Sequence, residues 1–306
     1  MPSERPGRGR LRAPLDGRGR QRAPVEGHER QRATLEGRER SRAPVDGRER
    51  QRAPLDGRAL TRLAKRAGAI GLAHFRRLSV ERSRAGAIVS EADREIERQV
   101  RADVAAIAPQ VVVIGAELPA TGAVASGWTL AVDPIDGADA YVAGLPTWGT
   151  SLGLLHAGSP VAGVVYLPSF DDLYLAHGGT LRWNGREIPQ GGVTPQHDGF
   201  VLAYSEYHRR RLLRLRGQVR ALGSTAYHLS LVARGAAEAA VVGRVHLWDV
   251  AAGKALLDAV GGELVYLRSG NPVDLAALLD GAPSDDFMIA ARVGSADRIR
   301  GRVRRR

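Results

Sequence analysis

Residues 128–137 read W-T-L-A-V-D-P-I-D-G, and the fold turns on this stretch. Leu130-Ala131-Val132 is a short apolar run of the kind that forms a buried strand. It stops at Asp133: Pro134 has no N–H with which to continue a ladder, and Gly137 admits a tight turn. Asp133 and Asp136 therefore sit three residues apart on a sharp turn at the carboxyl end of a strand, where open α/β folds gather ligands. Hard cations such as Mg2+ take oxygen ligands at about 2.0–2.1 Å, and two carboxylates with the Ile135 carbonyl between them can supply such a set. The other reading is a plain Asp-Pro turn in which Asp133 accepts a local hydrogen bond.

Three further stretches bear on that choice. Val89-Ser90-Glu91-Ala92-Asp93 opens a helical pattern, with Ser90 placed as N-cap and Asp93 three residues on, the spacing of a capping box. Gly115-Ala116-Glu117 follows the strand-like run V-V-V-I at 111–114. Trp248-Asp249-Val250-Ala251-Ala252-Gly253 opens another helix, with A-V-G-G-E-L at 259–264 behind it. Asp249 in a first turn complements the helix dipole whatever else it does. Together these stretches resemble, in order and spacing, the motifs of the inositol monophosphatase family over about residues 58–293. The D-P-I-D-G stretch matches that family's D-P-[IL]-D-G-[ST], and Gly115-Ala116-Glu117 is an altered form of its G-E-E.

The resemblance implies a layered α/β/α/β/α sandwich and a Mg2+-dependent phosphomonoesterase that is often a homodimer. It gives Asp133 as the carboxylate bridging two metals, Asp136 and Asp249 as ligands of one, and the Ile135 carbonyl as a ligand of the other. Asp93 becomes part of the dyad that activates the attacking water. The amides of Gly137 and Ala138 would receive the phosphate, as a helix N-terminus can, and Ser224 and Thr225 would line the substrate. Two positions depart from the pattern. Ala116 stands where the family's metal-binding Glu stands, and Ala138 where its Thr or Ser stands. Glu117 is the candidate substitute at the metal and the water, although successive strand residues point to opposite faces. Asp139 is one position off the missing hydroxyl. Val242 aligns with a Glu that inositol-specific members use, which argues against inositol as substrate. Three functions follow: a phosphatase with weakened catalysis on a small phosphorylated metabolite, a non-catalytic binder of Mg2+ and phosphate, or a nucleic-acid-associated protein. The segment A-G-L-P-T-W-G-T at 143–150 also resembles the histidinol-phosphatase branch.

Charge is unevenly placed. Residues 1–57 hold 15 Arg against 9 Asp and Glu, and residues 297–306 hold 6 Arg against one Asp, so of a net +12 only about +1 remains for residues 58–296. The first 57 residues repeat G-R-x-R-x-R-A-P-[LV]-[DE] from Gly7, Gly17, Gly27, Gly37 and Gly47. One aliphatic residue per ten buries too little surface to offset ordering entropy, so this arm is expected to be disordered. Nucleic-acid binding by the arm is not favoured, because acidic residues interrupt every unit and no aromatic is present for stacking. The basic C-terminus is expected to fray. With no Cys there is no disulfide and no thiolate site. No 18-residue apolar run and no leading apolar segment are present, so a cytoplasmic protein without a membrane partner is expected.

Elsewhere the periodicity predicts a helix over 58–77, a helix carrying Ile96, Val100, Val104 and Ile107 to Pro109, and a hairpin of 160–166 with 172–176. It also predicts a turn at Asn184-Gly185, a helix from Ser224 to Arg234, and a helix over 248–260. The domain is expected to divide near residue 195 into a metal-site half and an α/β half.

Overall fold

A computed structural model describes residues 53–77, 80–82, 88–122, 127–192, 200–204, 211–213 and 218–305. Residues 1–52 of the repeat arm lie outside the described residues, so the disorder expected there does too; residues 53–57, also expected to be disordered, are instead ordered, because Leu55 is buried and Asp56 caps a helix that opens at Gly57. The first helix, α1 (Gly57–His74), starts where Asp56 accepts a 2.8 Å hydrogen bond from the Ala59 amide, satisfying one of the orphan donors of the first turn. Leu60, Leu63, Ala64, Ala67 and Gly71 form its buried stripe. Leu55, just before the cap, is fully buried in the same cluster. His74 makes a 2.8 Å contact with Glu95 at the surface. Two short strands, β1 (Val80–Arg82) and β2 (Ile88–Ser90), pair antiparallel and lead into α2 (Glu91–Ile107). The buried face of α2 carries Ile96, Val100 and Val104, and also Asp93 and Glu97. Ile107, expected on that stripe, is instead exposed.

A seven-stranded sheet follows in simple order: β3 (Val112–Gly115), β4 (Trp128–Asp136), β5 (Gly149–His156), β6 (Ser159–Leu167), β7 (Asp172–His177), β8 (Thr180–Trp183) and β9 (Arg186–Ile188). Only β3 and β4 run parallel. A short helix, α3 (Ala138–Val142), interrupts the path from β4 to β5. The β8–β9 turn is Asn184-Gly185, both with positive φ, as a two-residue hairpin turn demands. The chain then adds β10 (Val201–Ala203), β11 (Arg211–Leu213), β12 (Val219–Arg220), α4 (Thr225–Arg234), β13 (Ala239–Val242), α5 (Leu247–Ala259), β14 (Glu263–Tyr266) and β15 (Met288–Ala291). Five of these strands form a second sheet in the order β12-β10-β13-β15-β14.

Strand alternation sorts these side chains into layers. Leu130, Val132, Leu152, Leu154 and Val164 face α1 and α2. Ala131, Leu155 and Val165 face the other way, onto α4 and α5. Leu202, Ala240 and Ala290 cover the far side of those helices. Val201, Val241 and Ile289 point outward, against Ala296 and Ile299. The result is the expected α/β/α/β/α sandwich. Its helices approach the strands closely: an added Cβ at Gly153 would lie 2.5 Å from the Ala251 side chain, and one at Gly163 would lie 2.7 Å from the Ala252 carbonyl oxygen.

The C-terminus corrects the expectation of fraying. Ala296–Arg300 is a helix, α6, and Val303–Arg305 is a strand, β16, paired antiparallel with β11. Ile299 and Val303 are buried, and two apolar anchors in this basic stretch suffice to fix it to the second sheet.

Candidate metal centre

β4 does not end at Asp133. It pairs with β5 as far as Asp136, with Asp133 opposite Ser151 and Asp136 opposite Gly149. Three steps on β4 thus match two on β5, which is a β-bulge with one extra residue. In a regular strand residues three apart face opposite sides. The bulge at Pro134-Ile135 removes that alternation, so Asp133 and Asp136 converge. Thr150 Oγ1 donates to the Pro134 carbonyl at 2.9 Å and pins the bulge. Gly137 then turns the chain at φ +94°, where an added Cβ would lie 3.1 Å from Ser224 Cβ.

The third carboxylate comes from the start of α5. Asp249 accepts from the His246 amide at 2.8 Å, so it is a helix cap. It also offers one oxygen to a set completed by Asp133 and Asp136, all within 4.8 Å of one another. Asp249 thus sits in the first turn of α5, as the dipole reading expects, and its other oxygen is free to join the carboxylate set. Asp136 sits against the start of α4, where Oδ2 accepts from the Ala226 amide at 3.1 Å. Its Oδ1 is buried without a hydrogen-bond partner. Burial pushes the Asp136 carboxyl up to about 7, although hydrogen bonds from Ser224, Ala226 and Thr225 pull against the rise. Asp133 is raised well above the carboxylate range, first by burial and then by the charges of Asp136, Asp249 and Asp93. An all-oxygen cluster whose members repel one another, with one oxygen lacking any donor, fits a small hard cation.

The other candidates divide. Asp93 is buried on α2 and close enough for its charge to act on Asp133. Glu117 stands outside the trio, half-buried, pushed up to about 7 by burial and by the nearby charges of Asp93 and Glu97. The strand-alternation argument against it does not apply, because β3 ends at Gly115 and residues 116–118 form a bend. The Ile135 side chain belongs to the α1–α2 core, leaving only its backbone between the two ligands. Gly137 caps α3, and Ala138 is its first residue. Ser224 is fully buried and caps α4 by accepting from the Tyr227 amide at 3.0 Å; Thr225 begins that helix. Asp139 is exposed to solvent. Val242 is buried in the core between α4–α5 and the second sheet.

Two contributors were not foreseen. His228 is buried and pushed down to about 4 by that burial, and its Nε2 accepts from the Leu222 amide at 3.0 Å, bracing the turn before Ser224. Glu97 is a wholly buried carboxylate one turn beyond Asp93 on α2.

Known proteins share the sequence profile and the fold. The sequence profile of the inositol monophosphatase family matches residues 57–293. The probable inositol 1-monophosphatase ImpA of Mycobacterium tuberculosis is 36% identical over 248 residues, covering 75% of this chain and 90% of its own. The fructose-1,6-bisphosphatase/inositol-1-monophosphatase of Aquifex aeolicus is 29% identical over 214 residues, 66% of this chain and 80% of that one. Among solved structures, the IMPase of Thermotoga maritima superposes with a TM-score of 0.68 at 24% identity, covering 78% of this chain and 93% of that one. An IMPase/NADP phosphatase solved with Mg2+ and phosphate superposes at 0.65 with 18% identity, covering 78% and 90%. With that profile spanning most of its length, the chain belongs to the inositol monophosphatase family.

Proposed function

We propose that the protein is a Mg2+-dependent phosphomonoesterase acting on a small phosphorylated metabolite other than an inositol phosphate. The observation that carries the reading is the convergence of Asp133, Asp136 and Asp249, with the unpartnered Asp136 Oδ1 among them. These three, with the Ile135 carbonyl, would hold the cation. Bound Mg2+ supplies Lewis acidity at a phosphoryl oxygen and a more acidic bound water. The chain's own part is to fix the donors and receive the phosphate. The Gly137 turn presents the amides of Gly137 and Ala138 beside the trio for the phosphate oxygens. Ser224 and Thr225, hydrogen-bonded to Asp136, would line the substrate. Asp93, whose charge acts on both Asp133 and Glu117, would with Glu117 accept the proton of the attacking water. Val242 stands at the position where inositol-specific members carry a Glu, which supports a substrate other than inositol.

Catalysis is weakened relative to a site with both usual groups, because Ala116 and Ala138 cannot orient water. Loss of one such group typically costs about 10²–10⁴-fold. The same two alanines support a second reading, a relative that binds Mg2+ and a phosphorylated ligand without turnover. Phosphate release from a panel of phosphomonoesters with Mg2+ separates them. The comparison is wild type, Asp133→Asn, and the double variant Ala116→Glu with Ala138→Thr. Wild-type turnover abolished by Asp133→Asn supports the phosphatase; turnover in the double variant alone supports the binder.

A further inference from the structure

The turn that carries Ala116 and Glu117 is held by one turn of α2. Glu97, fully buried, accepts the Glu117 amide on Oε2 at 2.9 Å and the Leu118 amide on Oε1 at 3.2 Å. Arg101, one turn on, donates to Glu97 Oε1 through Nε at 3.1 Å and Nη2 at 2.5 Å. Its remaining reach goes to two carbonyls of the same turn, Leu118 at 2.9 Å and Pro119 at 2.8 Å. A buried carboxylate is tolerable only when paired and hydrogen-bonded, and here every partner other than Arg101 is main chain of this one turn. Gly115 completes the fit, since an added Cβ would lie 2.5 Å from the Glu97 carboxyl.

We propose that Glu97 and Arg101 are positioning residues that lock the main chain of residues 115–119 in the register that turns the Glu117 side chain toward Asp93. This rests on the reading of Glu117 as part of the metal and water site. The lock grips amides and carbonyls, so it is indifferent to the side chain at 116. A slip of one residue would bring Ala116 to the place Glu117 now holds. Glu97 touches neither cation nor substrate and acts only through Glu117.

A double-mutant cycle reads this directly. Mg2+ binding is measured by calorimetry on the full chain for wild type, Glu97→Gln, Glu117→Gln and the double variant, with phosphate release measured in parallel. A glutamine at 97 keeps one acceptor and turns an NH2 toward an amide, so one donor of the turn is orphaned. Glu117→Gln is expected to weaken Mg2+ binding by roughly tenfold, and Glu97→Gln by a similar factor. The double variant is expected to bind no worse than Glu117→Gln alone. If the two losses multiply, or if Glu97→Gln binds Mg2+ like wild type while Glu117→Gln does not, the positioning role is overturned and the role of Glu117 stands. If Glu117→Gln binds Mg2+ and turns over like wild type, the reading of Glu117 fails and the proposal with it. Arg101→Lys keeps the Glu97 charge paired and removes only the fork to Leu118 and Pro119. Should Glu97→Gln fail to fold, Arg101→Lys takes its place in the cycle, with the same non-additivity expected.

Discussion

Asp136 holds one oxygen against the Ala226 amide and leaves the other buried without a donor. Together with Asp133 it makes the folded, metal-free protein bind protons more tightly than the unfolded chain does. Both folded values lie above the ordinary 3.8, so this stability is fully present below about pH 4 and is lost as pH rises, for Asp136 through about 7. His228 acts oppositely, since its folded value near 4 lies below the ordinary 6.5; its stability is full above pH 6.5 and is lost toward pH 4. Above pH 6.5 the carboxylates therefore dominate, and the unfolding midpoint in chelator should fall between pH 6.5 and 8. Asp133→Asn should flatten that slope and raise the metal-free midpoint at pH 8. The same variant should abolish phosphate release and lose more than the roughly 10–100-fold in Mg2+ affinity typical of an outer partner. A variant that retained the slope would show that repulsion within the trio is not its source. The carboxylates themselves were legible from D-P-I-D-G and W-D, because a motif names its ligands. Glu97 and His228 were not, because each serves through main-chain groups that no pattern of side chains marks.

Element by element, helix starts and buried stripes governed what formed. The heptapeptide R-A-P-L-D-G-R occurs twice, at 12–18 and at 52–58. At 52–58 it ends in a helix because Ala59, Leu60, Leu63 and Ala64 follow and supply a face to bury; after Arg18 the sequence runs G-R-Q-R and supplies none. Leu55→Ala should accordingly cost about 2–5 kcal/mol through a core cavity. Asp56→Ala should cost about 0.5–2 kcal/mol through the lost cap. Both are checked by urea unfolding, and equal midpoints for wild type and Leu55→Ala would mean that Leu55 does not anchor α1. Gly68→Ala sets propensity against packing. Alanine gains about 1 kcal/mol in a helix, yet its Cβ would meet the Tyr166 ring at 2.6 Å. The contact should win, leaving the variant less stable than wild type.

At the scale of the whole molecule, the trio joins β4 of the first sheet to the start of α5, and Asp136 ties it to α4. A cation held there stabilises the sandwich as a unit. At free Mg2+ about 100 times Kd the gain is ~2.7 kcal/mol, which for a domain of this size raises the midpoint by roughly 5–10 °C. The shift should grow from pH 6 to pH 8, because Mg2+ competes with protons for Asp133 and Asp136. A pH-independent shift would place the cation away from these two residues. Among the described residues no helix is long and apolar enough to cross a membrane. By itself the sequence determined the longer helices and the hairpin, because periodicity and caps are local; the layered fold and the grouping of the three carboxylates it carried only through the resemblance of its motifs to the family. Only the tertiary structure decided that a bulge brings Asp133 and Asp136 to one side, that the basic C-terminus folds through Ile299 and Val303, and that Glu97 and Arg101 grip the turn bearing Glu117. Register, burial and main-chain partners are settled between segments far apart in the chain, and no local pattern encodes them.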